Sequence, residues 1–132
     1  MRPSRILANL VGMMLFVQVV LGGGSVVLRF PVEYHLIWGV LTFLTLLVTT
    51  ALAVRDFGLL SSLSKVAIAS VADFVLQGIL GLMAFNSAVA IVVHLTNAFL
   101  LAVLVTYLIS FVDSADNAAR SGAPPTVATA KA

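Results

Sequence analysis

The chain contains no cysteine, so disulfides, thiolate metal sites and cysteine nucleophiles are excluded, and the redox compartment is left unmarked. Charge is scarce too. Asp, Glu, Lys and Arg make up 9 % of the 132 residues, and the formal net charge is only +2. The few Lys and Arg sit at the ends of apolar runs rather than on one face, which excludes a nucleic-acid footprint. Histidine is limited to His35 and His94, and two histidines without adjacent carboxylates make a poor zinc site. What fills the chain instead is apolar: 61 % of residues are hydrophobic and the mean hydropathy is +1.17. That composition lies far from soluble domains and marks an integral membrane protein in a lipid bilayer.

A helix needs about 20 residues to cross a hydrocarbon core. Four stretches approach or exceed that length: Ile6 to Gly23, Val32 to Val54, Val66 to Phe85 and Ala88 to Val112. Gly22, Gly23, Gly24 and Ser25 are expected to break the first helix. Pro31 suits the first turn of the second, where Glu33 complements the helix dipole. Arg55, Asp56 and Gly58 end the second helix, and Asn86 and Ser87 form a tight turn before the fourth. Residues 1–112 thus form a four-helix domain. Residues 113–132, polar and small with Pro124 and Pro125, read as a disordered tail.

A constant shift of 59 positions places Gln18 on Gln77, Leu21 on Leu80, Gly22 on Gly81, His35 on His94, Leu36 on Leu95 and Leu41 on Leu100. Each copy reads Gln-x-x-Leu-Gly, then His-Leu, with 17 positions from Gln to His in both. The expected fold is therefore all-α: an integral membrane four-helix bundle of two tandem two-helix repeats, related by a pseudo-two-fold axis along the membrane normal. Arg2, Arg5, Arg55, Lys65, Arg120 and Lys131 fall on one side and only Arg29 on the other, so both termini are expected to be cytoplasmic in a prokaryotic cell membrane. Two arginines before the first apolar run also suit a signal peptide, but cleavage would destroy half of the repeat.

With this topology His35 and His94 lie in early turns of two helices that run inward, facing each other near the outer surface. Two opposed imidazoles are suited to hold a haem iron from both faces, with haem b as the expected cofactor. One turn past each histidine is a small residue, Gly39 or Ala98, which would let a flat porphyrin approach. Gln18 and Gln77 either donate to haem substituents or cross-link helices. Arg29 either pairs with a propionate or anchors the interface. The competing reading of the histidines is a hydrogen-bonded packing or proton-relay pair. Asp73 is a carboxylate within the third span, with Thr42, Thr45 and Thr49 as possible partners, and reads as a protonated structural contact or a proton-handling site. Tyr34 and Trp38 read as interfacial aromatics, and Met13 and Met14 as packing.

The run from Gln18 to Arg29 resembles the first-helix motif of haem A synthases. Leu76-Gln77-Gly78-Ile79-Leu80-Gly81 followed by Val93-His94-Leu95 resembles the third-to-fourth helix stretch of the same family. The similarity covers about residues 6–112 and corresponds to one four-helix half of the full-length, two-half proteins. It implies a haem-binding bundle that works as a homodimer or within a larger membrane complex, with haem-modifying oxidoreductase activity. The chain departs from the family pattern. Leu36 follows His35 where members place arginine, Glu33 stands two residues before His35 rather than three, and the outer-loop cysteine pair is absent. Glu33 is the candidate catalytic carboxylate under that resemblance and a solvated helix-start carboxylate otherwise. Two further functions stay open: a b-type cytochrome exchanging electrons with a quinone or protein partner, and a haem-free accessory subunit.

Overall fold

The computed structural model describes residues 3–121, and within them the chain is all-helical. Four helices run in order: α1 (Pro3–Val27), α2 (Val32–Phe57), α3 (Ser62–Ala84) and α4 (Ala88–Ser121). Each is long and apolar enough to cross a membrane. In hydrocarbon a helix satisfies its backbone polar groups internally, so four consecutive apolar runs fold as four helices without needing strong individual propensities.

Short polar devices set the helix ends. Gly58 at the end of α2 adopts a left-handed φ of 80° and donates its N–H to the Val54 carbonyl at 2.9 Å. An L side chain is disfavoured there, which explains glycine at this point. Ser61 then caps α3, its hydroxyl accepting from the Ser64 N–H at 3.1 Å. Ser87 plays the same part for α4 through the Ala90 N–H at 3.3 Å.

Several boundaries differ from the sequence expectation: α1 begins at Pro3 rather than Ile6, α2 ends at Phe57 rather than Val54, α3 begins at Ser62 rather than Val66, and two further differences have a visible cause. The run Gly22 to Ser25 does not break α1, which continues to Val27. Two of its glycines are packing sites: a Cβ on Gly22 would meet the His35 ring at 2.9 Å, and one on Gly24 would meet the Phe30 ring at 2.9 Å. At the other end, α4 continues past residue 112 to Ser121 rather than giving way to a tail at 113. Arg5 holds this extension, bonding Asp113 at 2.6 Å and Asp116 at 3.0 Å, and Arg120 reaches Asp116 at 3.3 Å. The remainder of the expected tail, 122–132, lies outside the described residues.

The helices form a ring in which α1 packs on α2 and α4, and α3 packs on α2 and α4. Helices α2 and α4 therefore face each other across a diagonal. The buried apolar cluster, including Val11, Leu46, Ala67, Leu101, Leu108 and Val112, occupies the end of the bundle where the chain begins and α4 finishes. Toward the opposite end, where the two hairpins turn, the interior is polar or small: Gln18, Gly39, Asp73, Gln77 and Ala90 lie there, fully or partly buried. That end carries the histidines.

Candidate functional site

His35 lies in the first turns of α2 and His94 in the second turn of α4, so the two side chains approach along the ring diagonal. Their ring centres are 6.4 Å apart with planes at 78°. Each histidine is half-buried and is held by the preceding helix of its own hairpin. His35 Nδ1 lies 3.0 Å from the Gln18 carbonyl, and His94 Nδ1 lies 3.0 Å from the Gln77 carbonyl. A carbonyl only accepts, so Nδ1 carries the proton in both rings and Nε2 presents its lone pair.

The contacts around Nε2 also match. The side-chain amide nitrogen of Gln18 stands 3.3 Å from His35 Nε2, and that of Gln77 stands 3.4 Å from His94 Nε2. An amide N–H donates to that lone pair, which is the tautomer already required by Nδ1. Glycine one turn after each glutamine makes room for the ring: a Cβ on Gly81 would come within 3.1 Å of His94 Cε1, as one on Gly22 would for His35. The Gln-x-x-x-Gly spacing thus places, on one helix face, a carbonyl to fix the ring, an amide to meet it and a gap to seat it.

The two hairpins differ in what holds the glutamine. The Gln77 amide also donates to the His94 carbonyl at 2.9 Å, and its oxygen accepts from Asn97 at 3.0 Å. The Gln18 side-chain oxygen is buried without a hydrogen-bond partner. At the position equivalent to Asn97 stands Trp38, whose indole N–H donates to the Met14 carbonyl at 2.9 Å and ties α2 to α1.

Several expected residues take other places. Gly39 is buried, but the space a Cβ would fill is occupied by the Gln18 amide at 2.9 Å, so its smallness serves the glutamine rather than an open face. Ala98 is half-buried. Glu33 and Arg29 are both exposed, Glu33 in the first turn of α2 and Arg29 in the α1–α2 connection with a left-handed φ of 57°. Tyr34 is exposed, as expected of an interfacial aromatic, whereas Trp38 is half-buried in the α1–α2 contact. Met14 is buried and Met13 exposed.

Thr42, Thr45 and Thr49 do not partner Asp73. Their hydroxyls donate to the carbonyls of Trp38, Leu41 and Thr45 on their own helix. The polar side chain beside Asp73 is Asn97 of α4 instead. Asn97 is the residue the sequence reading missed. Its signal was its place three residues after His94, on the same helix face.

Among the described residues no group of three or more His, Cys, Asp or Glu is placed to hold a metal ion. The chain matches no family model, no curated protein and no solved structure.

Proposed function

We propose that the chain is a haem-binding membrane protein in which His35 and His94 are the two axial ligands. One observation carries this reading: two imidazoles with Nδ1 pinned to a carbonyl, and so with the lone pair on Nε2, stand 6.4 Å apart between ring centres on facing helices. A metal-bound imidazole nitrogen lies about 2 Å from its ion and roughly 1 Å from its own ring centre, so two rings on opposite sides of one ion are separated by about 6 Å. Two histidines suffice for haem because the porphyrin supplies the remaining iron ligands. When bound, the group would supply one-electron chemistry at a six-coordinate iron.

The protein side of this reading concerns orientation. The Gln18 and Gln77 carbonyls fix both ring tautomers, as backbone acceptors commonly do for metal-bound histidine. The Gln18 and Gln77 amides keep the Nε2 atoms satisfied in the form described here and turn aside for the ligand. Arg29, the exposed cation of the α1–α2 connection, is the candidate partner of a propionate.

The matching environments of the two histidines also support an origin by duplication of a two-helix unit, with a pseudo-two-fold axis along the membrane normal. The distribution of Lys and Arg supports an orientation with both termini cytoplasmic and the histidines toward the outer face of a prokaryotic cell membrane. In line with the resemblance to one half of a haem A synthase, a homodimer would rebuild an eight-helix assembly. Electron exchange with a quinone or protein partner is the alternative for the same haem.

A second reading is favoured by one observation: each ring nitrogen already has a partner within its own hairpin. On that reading the histidines are helix cross-links of a haem-free accessory subunit. The reduced-minus-oxidised absorption spectrum of the purified protein, with pyridine extraction, separates the two. Low-spin bands at one haem per chain, lost in His35→Ala and His94→Ala variants that still insert in the membrane, are the expected result. A protein that stays colourless after haem supplementation overturns the ligand assignment.

A further inference from the structure

Asp73 lies in mid-α3, 8 % exposed, on a helix apolar enough to cross a membrane. Its Oδ2 is enclosed and has no hydrogen-bond partner. Its recorded polar neighbour is Asn97 of α4. Asn97 also donates to the Gln77 oxygen at 3.0 Å, and Gln77 in turn donates to the His94 carbonyl at 2.9 Å and stands 3.4 Å from His94 Nε2. An unbroken line of amide dipoles thus joins the carboxyl group to the histidine.

Among the described residues no charged group pairs with Asp73. Helices α2 and α4 pack against α3. The ionisable residues of α2 are Glu33, Tyr34 and His35 at the hairpin end and Arg55 and Asp56 at the other. Those of α4 are His94, one turn from Asn97, then Tyr107, Asp113, Asp116 and Arg120 farther along, and α3 itself adds only exposed Lys65 near its start. None of these forms an ion pair with the Asp73 carboxyl in the described residues. An ionised carboxylate in such a place needs a counter-charge or several donors, and this one has a single donor and a bare oxygen. An oxygen closed on all sides has no room for water or a cation. A proton takes no room.

We propose that Asp73 is an intramembrane proton-binding site, coupled to the histidine pair through Asn97 and Gln77. Binding is a simple equilibrium: a proton from water forms the O–H bond on the carboxyl group, and release returns it to water, with no other bond made or broken. The coupling is electrostatic. Amides do not readily pass protons along, but a charge on Asp73 draws the Asn97 N–H toward itself and so changes how firmly Gln77 is held against His94. The site is defined by protein atoms alone and stands whether or not the haem reading does.

Infrared spectra of the purified, aspartate-¹³C-labelled protein in bilayers test it. The expected result at neutral pH is a labelled carboxylic-acid carbonyl band that shifts in deuterium oxide, disappears at alkaline pH and is absent from Asp73→Asn. The other three aspartates, Asp56, Asp113 and Asp116, lie toward the helix ends, so the labelled wild type remains informative if the variant fails to fold. Asn97→Leu should move the midpoint of the titration by about tenfold in proton concentration, the effect of one hydrogen bond to a charged group. Absence of the acid band from the wild type, or its persistence in folded Asp73→Asn, overturns the site. An unchanged midpoint in Asn97→Leu overturns the coupling.

Discussion

At the scale of single residues, the histidines matter less for their chemistry alone than for what seats them. Gly22 and Gly81 let an imidazole lie against helix backbone, and Gln18 and Gln77 offer a carbonyl one turn earlier to orient it. Adding a methyl group tests this. A Cβ at Gly22 would lie 2.9 Å from the His35 ring and one at Gly81 3.1 Å from the His94 ring, both tighter than ordinary contact. Gly22→Ala is expected to lower stability by about 1–3 kcal/mol, the usual range for overpacking, with Gly81→Ala costing less. Thermal unfolding in detergent measures both, and two unchanged midpoints would remove the seating argument. The equivalence of the two glutamines and of the two histidines was legible in sequence because both halves repeat them at one spacing, whereas their pairing was not. Asn97 was not, because its counterpart is Trp38 and a repeat reveals only what both copies share.

At the scale of elements, each hairpin is held by its own polar contacts, and the end of α4 is decided by charge. Helix α4 outlasts the apolar run that predicts it, because Arg5 at the start of α1 pairs with Asp113 and Asp116. Asp116 is almost fully buried by that contact. Replacing Arg5 with alanine should fray residues 113–121 while leaving the apolar spans intact. Hydrogen exchange followed by mass spectrometry would register this as faster exchange confined to that segment, and unchanged protection there would show that the extension does not depend on Arg5. The run of glycines in α1 makes the complementary point. Composition suggests a break, but with nothing in hydrocarbon to satisfy a broken backbone the helix persists, and the glycines serve side-chain packing instead.

At the scale of the whole molecule, the bundle is divided along its length. Large apolar side chains fill the end near the termini, while the hairpin end holds histidine, amide and carboxyl groups. The first end supplies the apolar packing and the second carries the polar groups. The absence of cysteine makes the orientation directly testable. Single cysteines introduced at the exposed positions Pro3 and Ser121 should react with a membrane-impermeant maleimide from one side of sealed vesicles, and one at Arg29 from the other side. Labelling of Pro3→Cys and Arg29→Cys from the same side would overturn the orientation.

The sequence by itself determined that four helices form and approximately where they run, because hydrocarbon tolerates few other structures and an apolar run of sufficient length is an unambiguous signal. It also marked Gln18, His35, Gln77 and His94 as equivalent, since their spacing lies on the chain. Tertiary structure alone decided how near the two histidines come, 6.4 Å between ring centres, that Gly39 accommodates a glutamine, and that Asp73 neighbours Asn97 rather than the threonines of α2. Those outcomes depend on how each helix is rotated about its axis, which neighbouring surfaces fix only when all four pack together.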